Sequence, residues 1–143
     1  WKGLSRPTIL TPHSGEMARL TGLSIAEIEG ERVAVAAESA VKWNAVVVLK
    51  GAFTVVATPD GRATIAPFAN PAMASAGTGD VLAGTIAGFL TQRLSPETAA
   101  ILGVFVHGRA GEAIRRRMGD SGLLASDLLR AIPRTVRRLR GAS

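Results

Sequence analysis

The segment AVVVLKG, residues 45–51, restricts the possible folds more than any other part of the chain. A continuous run of β-branched residues without polar alternation is typical of a strand that is buried on both faces. The preceding segment has apolar residues at helical spacing, namely Val33, Ala36, Ala37, Ala40 and Val41. A helix that leads into such a strand predicts an α/β unit with a parallel sheet.

The N-terminal part of the chain contains a second strand candidate and two helix candidates. The segment PTILTP, residues 7–12, predicts a short strand that ends in a loop, and residues 15–22 predict one or two helical turns. Ser24 and Glu27 have the spacing of a capping box, in which each side chain satisfies a free backbone amide. A further short helix is therefore expected to begin at Ser24.

A hairpin and three helices are predicted after the apolar strand. The turn at 59–61, Pro-Asp-Gly, lies between two strand-like segments and predicts a hairpin. Ser95 followed by proline is a typical helix start, with proline at the first helical position. The predicted helices span 80–92, 96 to about 117, and 122–132, and Pro133 begins an arginine-rich last turn. No linker or repeat interrupts residues 1–143, which predicts one domain.

The composition fits a soluble protein with a well-developed core. Hydrophobic residues make up 47% of the 143 residues, and no stretch reaches the length of a membrane-spanning helix. Because cysteine is absent, disulfides and thiolate metal sites are excluded, which favours a reducing, cytoplasmic location. No HExxH or paired-histidine spacing occurs, so no metal ligands are predicted. His107 is interpreted as a packing residue within a helix.

The net charge of +6 is concentrated near the C-terminus. Residues 1–90 carry seven basic and seven acidic side chains, whereas residues 91–143 carry ten basic and four acidic ones. A basic run usually coats a solvated helix face or the end of a helix, as expected for Arg115 to Arg117 before Gly119. The alternative is attraction of a polyanionic partner.

The junction at Gly77, Thr78, Gly79 and Asp80 is the strongest functional signal from the residues alone. Two glycines allow positive φ and let a ligand approach the backbone. The first amides of the following helix are unpaired and carry the positive end of the helix dipole. This combination predicts an anion site that suits a phosphate or a developing oxyanion.

Asp80 has two possible roles at this junction. A carboxylate beside a phosphate site is placed to act as a general base on a hydroxyl group during phosphoryl transfer. The alternative is an ordinary N-terminal helix aspartate. The helix that follows is apolar on nearly every side, and Gly84 and Gly88 are expected to permit close packing, which would hold the site rigid.

Five segments, taken in order, resemble the dehydratase domain of the NAD(P)H-hydrate repair enzymes, a ribokinase-like or carbohydrate-kinase family. They are ILTPHSGEMARL, VVVLKGAFTVVATPDG, NPAMASAGTGDVLAGTIAGFL, HGRAGE and GLLASDLL. The resemblance covers about residues 7–133. The resemblance implies an α/β fold with three-layer α/β/α packing and a mostly parallel sheet. The family domain is much longer, so we expect this chain to be the C-terminal portion of a ribokinase-like domain.

The resemblance implies a lyase that repairs nicotinamide nucleotides. Members of the family use ADP, or ATP, with Mg²⁺ to dehydrate the S form of NAD(P)HX to NAD(P)H. The hydroxyl group of the hydrate is thought to be phosphorylated and then lost as phosphate. Family members are commonly oligomeric, so a homo-oligomer is expected.

The same resemblance implies roles for particular residues. Asp80 matches the family's base and contacts the hydrate, while Gly77, Thr78 and Gly79 match the anion hole. The remaining nucleotide-binding matches are Lys50, Gly51, Ala52, Phe53, Thr54 and Asn70. The substrate-binding matches are His13, Ser14, Gly15 and Glu16. Lys50 also follows an apolar strand, which is where open α/β sheets bind ligands.

Two other functions are alternatives. A ribokinase-like kinase acting on a sugar or a vitamin-precursor alcohol shares the GTGD element, although the TPHSGE loop favours the dehydratase. A nucleic-acid-binding module would use the basic C-terminal helices. The low aromatic content of 4% and the absence of a known reader motif argue against nucleic acid.

Overall fold

The protein is represented by a computed structural model that describes residues 5–141. In this range the strands are β1 (Ile9–Leu10), β2 (Val46–Leu49), β3 (Val55–Ala57) and β4 (Ala63–Ile65). The helices are α1 (Ser14–Thr21), α2 (Ile25–Gly30), α3 (Arg32–Trp43), α4 (Thr78–Leu90), α5 (Pro96–Met118) and α6 (Ala125–Leu139). A 3₁₀ turn, Pro71–Met73, precedes α4. None of these helices has both the length and the hydrophobicity needed to cross a bilayer.

The sheet is mixed, which corrects the prediction of a mostly parallel one. Its strand order is β1-β2-β3-β4, with β1 parallel to β2 and the other two pairs antiparallel. Three helices connect β1 to β2, a length that allows a parallel crossover. Only residues 50–54 separate β2 from β3 and only 58–62 separate β3 from β4, and such short connections return the chain in the opposite direction.

Helices cover both faces of the sheet, so the expected α/β/α layering is confirmed. Strand β2 is buried throughout, and successive side chains point to opposite faces. Val47 and Leu49 pack in a core with α1 to α3, whereas Val46 and Val48 pack in a second core with α4 and α5. A third core lies between α5 and α6 and includes Leu128. The doubly buried strand is therefore the centre of the fold.

The predicted helix starts at Ser24 and Ser95 are confirmed. The Ser24 Oγ accepts a hydrogen bond from the Glu27 amide at 3.2 Å, and Glu27 accepts one from the Ser24 amide at 2.8 Å. Ser95 Oγ accepts from the Thr98 amide at 3.2 Å, with Pro96 at the first helical position. These starts are determined locally, because a capping side chain and its amide are only three residues apart.

The buried face of α3 differs from the predicted one. Val33 and Val41 are 42% and 53% exposed, whereas Val35 and Trp43 are buried. Of the predicted residues, Ala36 and Ala40 are buried and Ala37 packs against the same core, so the prediction is confirmed in part. The apolar residues of α3 extend over more than one helical stripe, so the position of the sheet selects which stripe is buried.

Helices α4 and α6 also differ from the expectation. Helix α4 begins at Thr78, two residues earlier than predicted, and only one of its faces is buried. Gly84 and Gly88 are exposed, and among the described residues a Cβ atom on either would meet nothing within 4 Å, so the prediction that they permit close packing is wrong. Helix α6 begins at Ala125 and continues through Pro133 as one helix.

Candidate functional site

Two segments that follow parallel strands meet at one edge of the sheet. The Lys50 amide donates to the Pro12 carbonyl at 2.8 Å, and His13 and Lys50 form an isolated parallel bridge. Since β1 and β2 run in the same direction, their carboxyl ends lie side by side. This is the edge at which open α/β sheets bind ligands.

His13 and Glu16 form the N-terminal cap of α1 and connect it to Lys50. The His13 Nδ1 accepts from the Glu16 amide at 3.2 Å, and Glu16 Oε2 accepts from the His13 amide at 2.7 Å. The Lys50 Nζ lies 3.3 Å from Glu16 Oε2. Burial raises the pKa of Glu16, but the His13 amide and the Lys50 ammonium outweigh it and hold that pKa below its usual value. Glu16 is thus an anion fixed beside Lys50.

A cavity of about 430 Å³ opens beside Lys50. Its walls come from residues 50–54, from 66–74, from the first turns of α4 and from the middle of α5. Most of this surface is apolar, with a few polar side chains that converge on it, Asn70 and His107 among them. Such a combination is typical of a small-molecule site.

Asn70, in the wall of this cavity, carries an unsatisfied donor. Its Oδ1 accepts from the Ala72 amide at 3.0 Å and so caps the 3₁₀ turn. Its Nδ2 is buried and has no hydrogen-bond partner within residues 5–141. A buried unsatisfied donor costs free energy, and a bound acceptor would remove that cost.

The start of α4 lies against Lys50. Gly77 has φ of 83° and leads the chain into the helix, and Thr78 Oγ1 is 2.8 Å from both the Met73 and the Ser75 carbonyl oxygens. A Cβ atom on Gly79 would lie 3.3 Å from Lys50 Nζ. The absence of a side chain at Gly79 therefore lets the ammonium group reach the helix N-terminus.

This arrangement places positive charge and free amides at one point. Within residues 5–141, the Gly79 and Asp80 amides have no backbone acceptor, whereas the Thr78 and Val81 amides do. Free amides at a helix N-terminus together with a lysine favour an anion such as a phosphate. Asp80 is exposed, and in the described chain its carboxylate makes no ion pair or side-chain hydrogen bond.

The structure brings most of the predicted nucleotide-binding residues to the cavity wall. They are Lys50, Gly51, Ala52, Thr54, Asn70, Thr78 and Gly79. Phe53 does not line the cavity; it is 54% exposed with φ of 54°, and its amide donates to the Phe68 carbonyl. The predicted substrate residues His13, Ser14, Gly15 and Glu16, together with Gly77 and Asp80, lie outside the wall.

His107 is a residue of the site that sequence reasoning missed. It is buried and lines the cavity, and its Nε2 lies 2.9 Å from the Thr78 carbonyl, to which only a protonated nitrogen can donate. Burial lowers the pKa of His107, and the bond to Thr78 opposes this only in part. His107 is four residues from both Gly103 and Gly111, so the three residues lie on one face of the helix. A histidine on an apolar helix face needs a polar partner when it is buried, and this pattern was the sequence signal that could have identified His107.

Fold and cavity together define a ribokinase-like α/β domain. A ribokinase-like superfamily protein from Enterococcus faecalis matches with a TM-score of 0.79 and 32% identity, covering 95% of this chain and 46% of that one. The family model described as NAD(P)H-hydrate dehydratase (Carb_kinase) matches residues 2–134. The chain belongs to this NAD(P)H-hydrate dehydratase family.

Individual relatives agree with this assignment. The bifunctional NAD(P)H-hydrate repair enzyme Nnr of Moorella thermoacetica is 50% identical over 133 residues, which cover 93% of this chain and 25% of the relative. The ADP-dependent (S)-NAD(P)H-hydrate dehydratase of Bacillus subtilis is 40% identical, covering 92% and 48%. A crystal structure of the B. subtilis ADP/ATP-dependent NAD(P)H-hydrate dehydratase, co-crystallised with ATP/Mg²⁺, matches with a TM-score of 0.92, 38% identity, and 96% and 50% coverage. This chain thus spans about a quarter to a half of the length of these relatives.

Proposed function

We propose that this chain supplies the nucleotide site and the catalytic carboxylate of an ADP-dependent NAD(P)H-hydrate dehydratase. Such an enzyme returns S-NAD(P)HX to NAD(P)H. The observation that carries the proposal is the position of Lys50 Nζ at the start of α4, where it would lie 3.3 Å from a Cβ atom on Gly79, beside the cavity. Relatives that share the family are named as this dehydratase.

The cavity fits a nucleotide. Its apolar wall suits a base and sugar, and the buried Asn70 Nδ2 offers a donor that is otherwise unsatisfied. The terminal phosphate would lie where Lys50 meets the free amides of Gly79 and Asp80. ADP, or ATP, bound there would supply the phosphoryl group.

Mg²⁺ fits the same place without a protein cage. Within residues 5–141, no group of three or more His, Cys, Asp or Glu side chains is arranged to hold a metal ion. Mg²⁺ usually keeps several waters and binds through phosphates plus one or two carboxylates. Glu16, an anion beside Lys50, is the carboxylate of this edge that would join them, and Asp80 stays free for the chemistry.

Asp80 is the proposed base. It is exposed on the first turn of α4, next to the proposed phosphate position. Its carboxylate takes the proton of the hydrate's hydroxyl group, whose oxygen then receives the phosphoryl group. Loss of phosphate and of a ring proton restores the double bond of the nicotinamide. The start of α1, residues 13–16, forms the adjacent rim and is proposed to hold the hydrate.

The test is an assay with ADP, Mg²⁺ and hydrated NADH, followed by the recovery of NADH absorbance. We expect Asp80→Asn to lower turnover by at least about 100-fold, because a general base contributes on the order of 10²–10⁴. ADP affinity measured by calorimetry should stay within about twofold, since the amides and Lys50 remain.

Glu38→Gln is the matched control, because Glu38 is an exposed carboxylate on α3, away from the cavity. It should leave turnover unchanged. Wild-type turnover in Asp80→Asn would remove Asp80 from the mechanism. A stable phosphorylated product in place of NADH would identify a kinase instead.

Homo-oligomerisation and a cytoplasmic location belong to the same proposal. The homo-oligomer is inferred from the family resemblance, and the cytoplasmic location is inferred from the composition. The contacts within the described chain do not test either inference. Light scattering of the purified protein would measure the mass of the assembly, and a monomer would contradict the first of them.

A further inference from the structure

Arg32, the first residue of α3, joins the two segments of the candidate site. Its Nη2 donates to the Leu49 carbonyl at 2.9 Å and to the Lys50 carbonyl at 3.2 Å. Its Nη1 lies 3.3 Å from Ser14 Oγ. One guanidinium group therefore contacts both the end of β2 and the first residue of α1, which are far apart in the sequence.

The surroundings of Arg32 restrict where its guanidinium can lie. The side chain is only 14% exposed, and Nη1 pairs with Glu29 Oε1 at 3.0 Å. Glu29 also accepts a short hydrogen bond from Ser14. A charge removed from water is costly unless it is paired and hydrogen-bonded, and these partners fix the guanidinium in one place.

Gly51 shows how closely Arg32 approaches the cavity wall. A Cβ atom on Gly51 would lie 2.9 Å from Arg32 Nη2, and the φ of Gly51 is 150°. Both the space and the backbone conformation therefore require glycine. Because Gly51 lines the cavity, the guanidinium packs directly behind the nucleotide-binding wall.

We propose that Arg32 is a positioning residue that fixes the start of α1, residues 13–16, relative to the loop at 50–54. The inference rests on the proposed function, in which these segments bind the hydrate and the nucleotide respectively. Small displacements of bound reactants reduce rates strongly, so a link between the two segments keeps the ligands in register. Lysine cannot replace arginine here, because an ammonium group lacks the planar fork that reaches several acceptors at once.

Two amides report on the two segments without any ligand. The Lys50 amide is bonded to the Pro12 carbonyl, and the Met17 amide is bonded to the His13 carbonyl, both at 2.8 Å. Hydrogen exchange of these amides in ¹⁵N-labelled protein measures local opening. In Arg32→Lys we expect both amides to exchange at least about tenfold faster, while the amides of α5 keep their wild-type rates.

Arg62→Lys is the matched control. Like Arg32, Arg62 forms ion pairs with acidic side chains, in its case those of Asp60 and Glu97. Arg62 lies outside the cavity wall. This variant should change neither reporter amide. The proposal that Arg32 positions both segments is overturned if either reporter amide of Arg32→Lys exchanges at the wild-type rate. It is also overturned if the amides of α5 exchange faster by the same factor.

A gentler variant covers the case in which Arg32→Lys does not fold. Glu29→Gln weakens the anchor on the Ser14 side and leaves the bonds to the Leu49 and Lys50 carbonyls. We expect faster exchange at the Met17 amide and an unchanged rate at the Lys50 amide. Unchanged exchange at Met17 would contradict the inference.

ADP affinity separates this inference from the proposed function. With ADP and Mg²⁺ as the probe, Arg32→Lys should bind about tenfold more weakly, measured by calorimetry at a temperature where circular dichroism shows it folded. Wild-type affinity in a variant whose segments open would overturn the ligand-positioning role. If the wild-type protein itself binds no ADP, the nucleotide proposal fails, and the exchange rates still decide whether Arg32 holds both segments.

Discussion

Helices α4 and α5 both contain glycines at helical spacing, but these glycines have opposite surroundings. On α5, a Cβ atom would lie 2.4 Å from Ile86 at Gly103 and 2.2 Å from Phe68 at Gly108. On α4, a Cβ atom on Gly84 or Gly88 would meet nothing within 4 Å among residues 5–141. The α5 glycines allow other elements to approach the helix closely, whereas Gly84 and Gly88 of α4 are exposed.

The difference shows that glycine spacing alone does not define a packing face. Glycine in a helix costs about 0.5–1 kcal/mol relative to alanine because the unfolded chain loses more freedom. On α5 this cost is offset by contacts that a methyl group would prevent, including those of Phe68 in the cavity wall. On α4 no contact within the described chain offsets it.

The largest expected effect is at Gly103. Gly103→Ala should lower the free energy of unfolding by about 1–3 kcal/mol, because the methyl group would overpack the junction with Ile86. The Ile86 Cα, a backbone atom, would be only 3.2 Å away, so a rotamer change alone cannot relieve the contact. Denaturation in urea measures the free energy of unfolding. A value equal to that of the wild type would contradict the conclusion that Gly103 lies in a tightly packed contact.

Gly108→Ala tests whether the tight face of α5 shapes the cavity. The new methyl group would displace the Phe68 ring, which lines the cavity and packs against Phe105 with ring centroids 5.6 Å apart. We expect about tenfold weaker ADP binding, or about 1.4 kcal/mol. Gly88→Ala on α4 is the control and should bind ADP as the wild type does.

Gly84→Ala should have the opposite sign. Because the position is exposed and open, alanine should raise the free energy of unfolding by about 0.5–1 kcal/mol. The same urea measurement that is used for Gly103→Ala applies here. A destabilised variant would mean that α4 packs against something at this position.

The smallest effect concerns pH and His107, which lies beside Gly108. Its pKa in the folded protein is below the ordinary value of 6.5, first because of burial. The unfolded chain therefore binds more protons as the pH falls below about 6.5, so the folded state loses stability in that range. In His107→Gln this loss should disappear, as measured by melting temperatures at pH values above and below 6.5. An identical pH dependence in the variant would argue against a buried neutral histidine.

Local features of the fold could be predicted from the sequence. The caps at Ser24 and Ser95 depend on atoms three residues apart, and the hairpin depends on a turn at 59–61. The doubly buried strand was visible as an unbroken apolar run. These features need no knowledge of the rest of the molecule.

Parts of the candidate site could also be predicted, and other parts could not. The family resemblance named Lys50, Asn70 and Thr78 as nucleotide-binding, and all three line the cavity. His107 and Arg32 were missed, because their roles come from contacts with residues 29 and 17 or 18 positions away. No local pattern encodes such distances.

Local backbone chemistry is sufficient to predict the central strand, the helix starts at Ser24 and Ser95, and the glycine-rich loop before α4. The buried faces of α3 and α4, and the long-range contacts of Arg32 and His107, depend instead on tertiary packing. The physical reason is that burial depends on the neighbouring layer. An apolar helix offers several faces, and the sheet and the other helices select one of them.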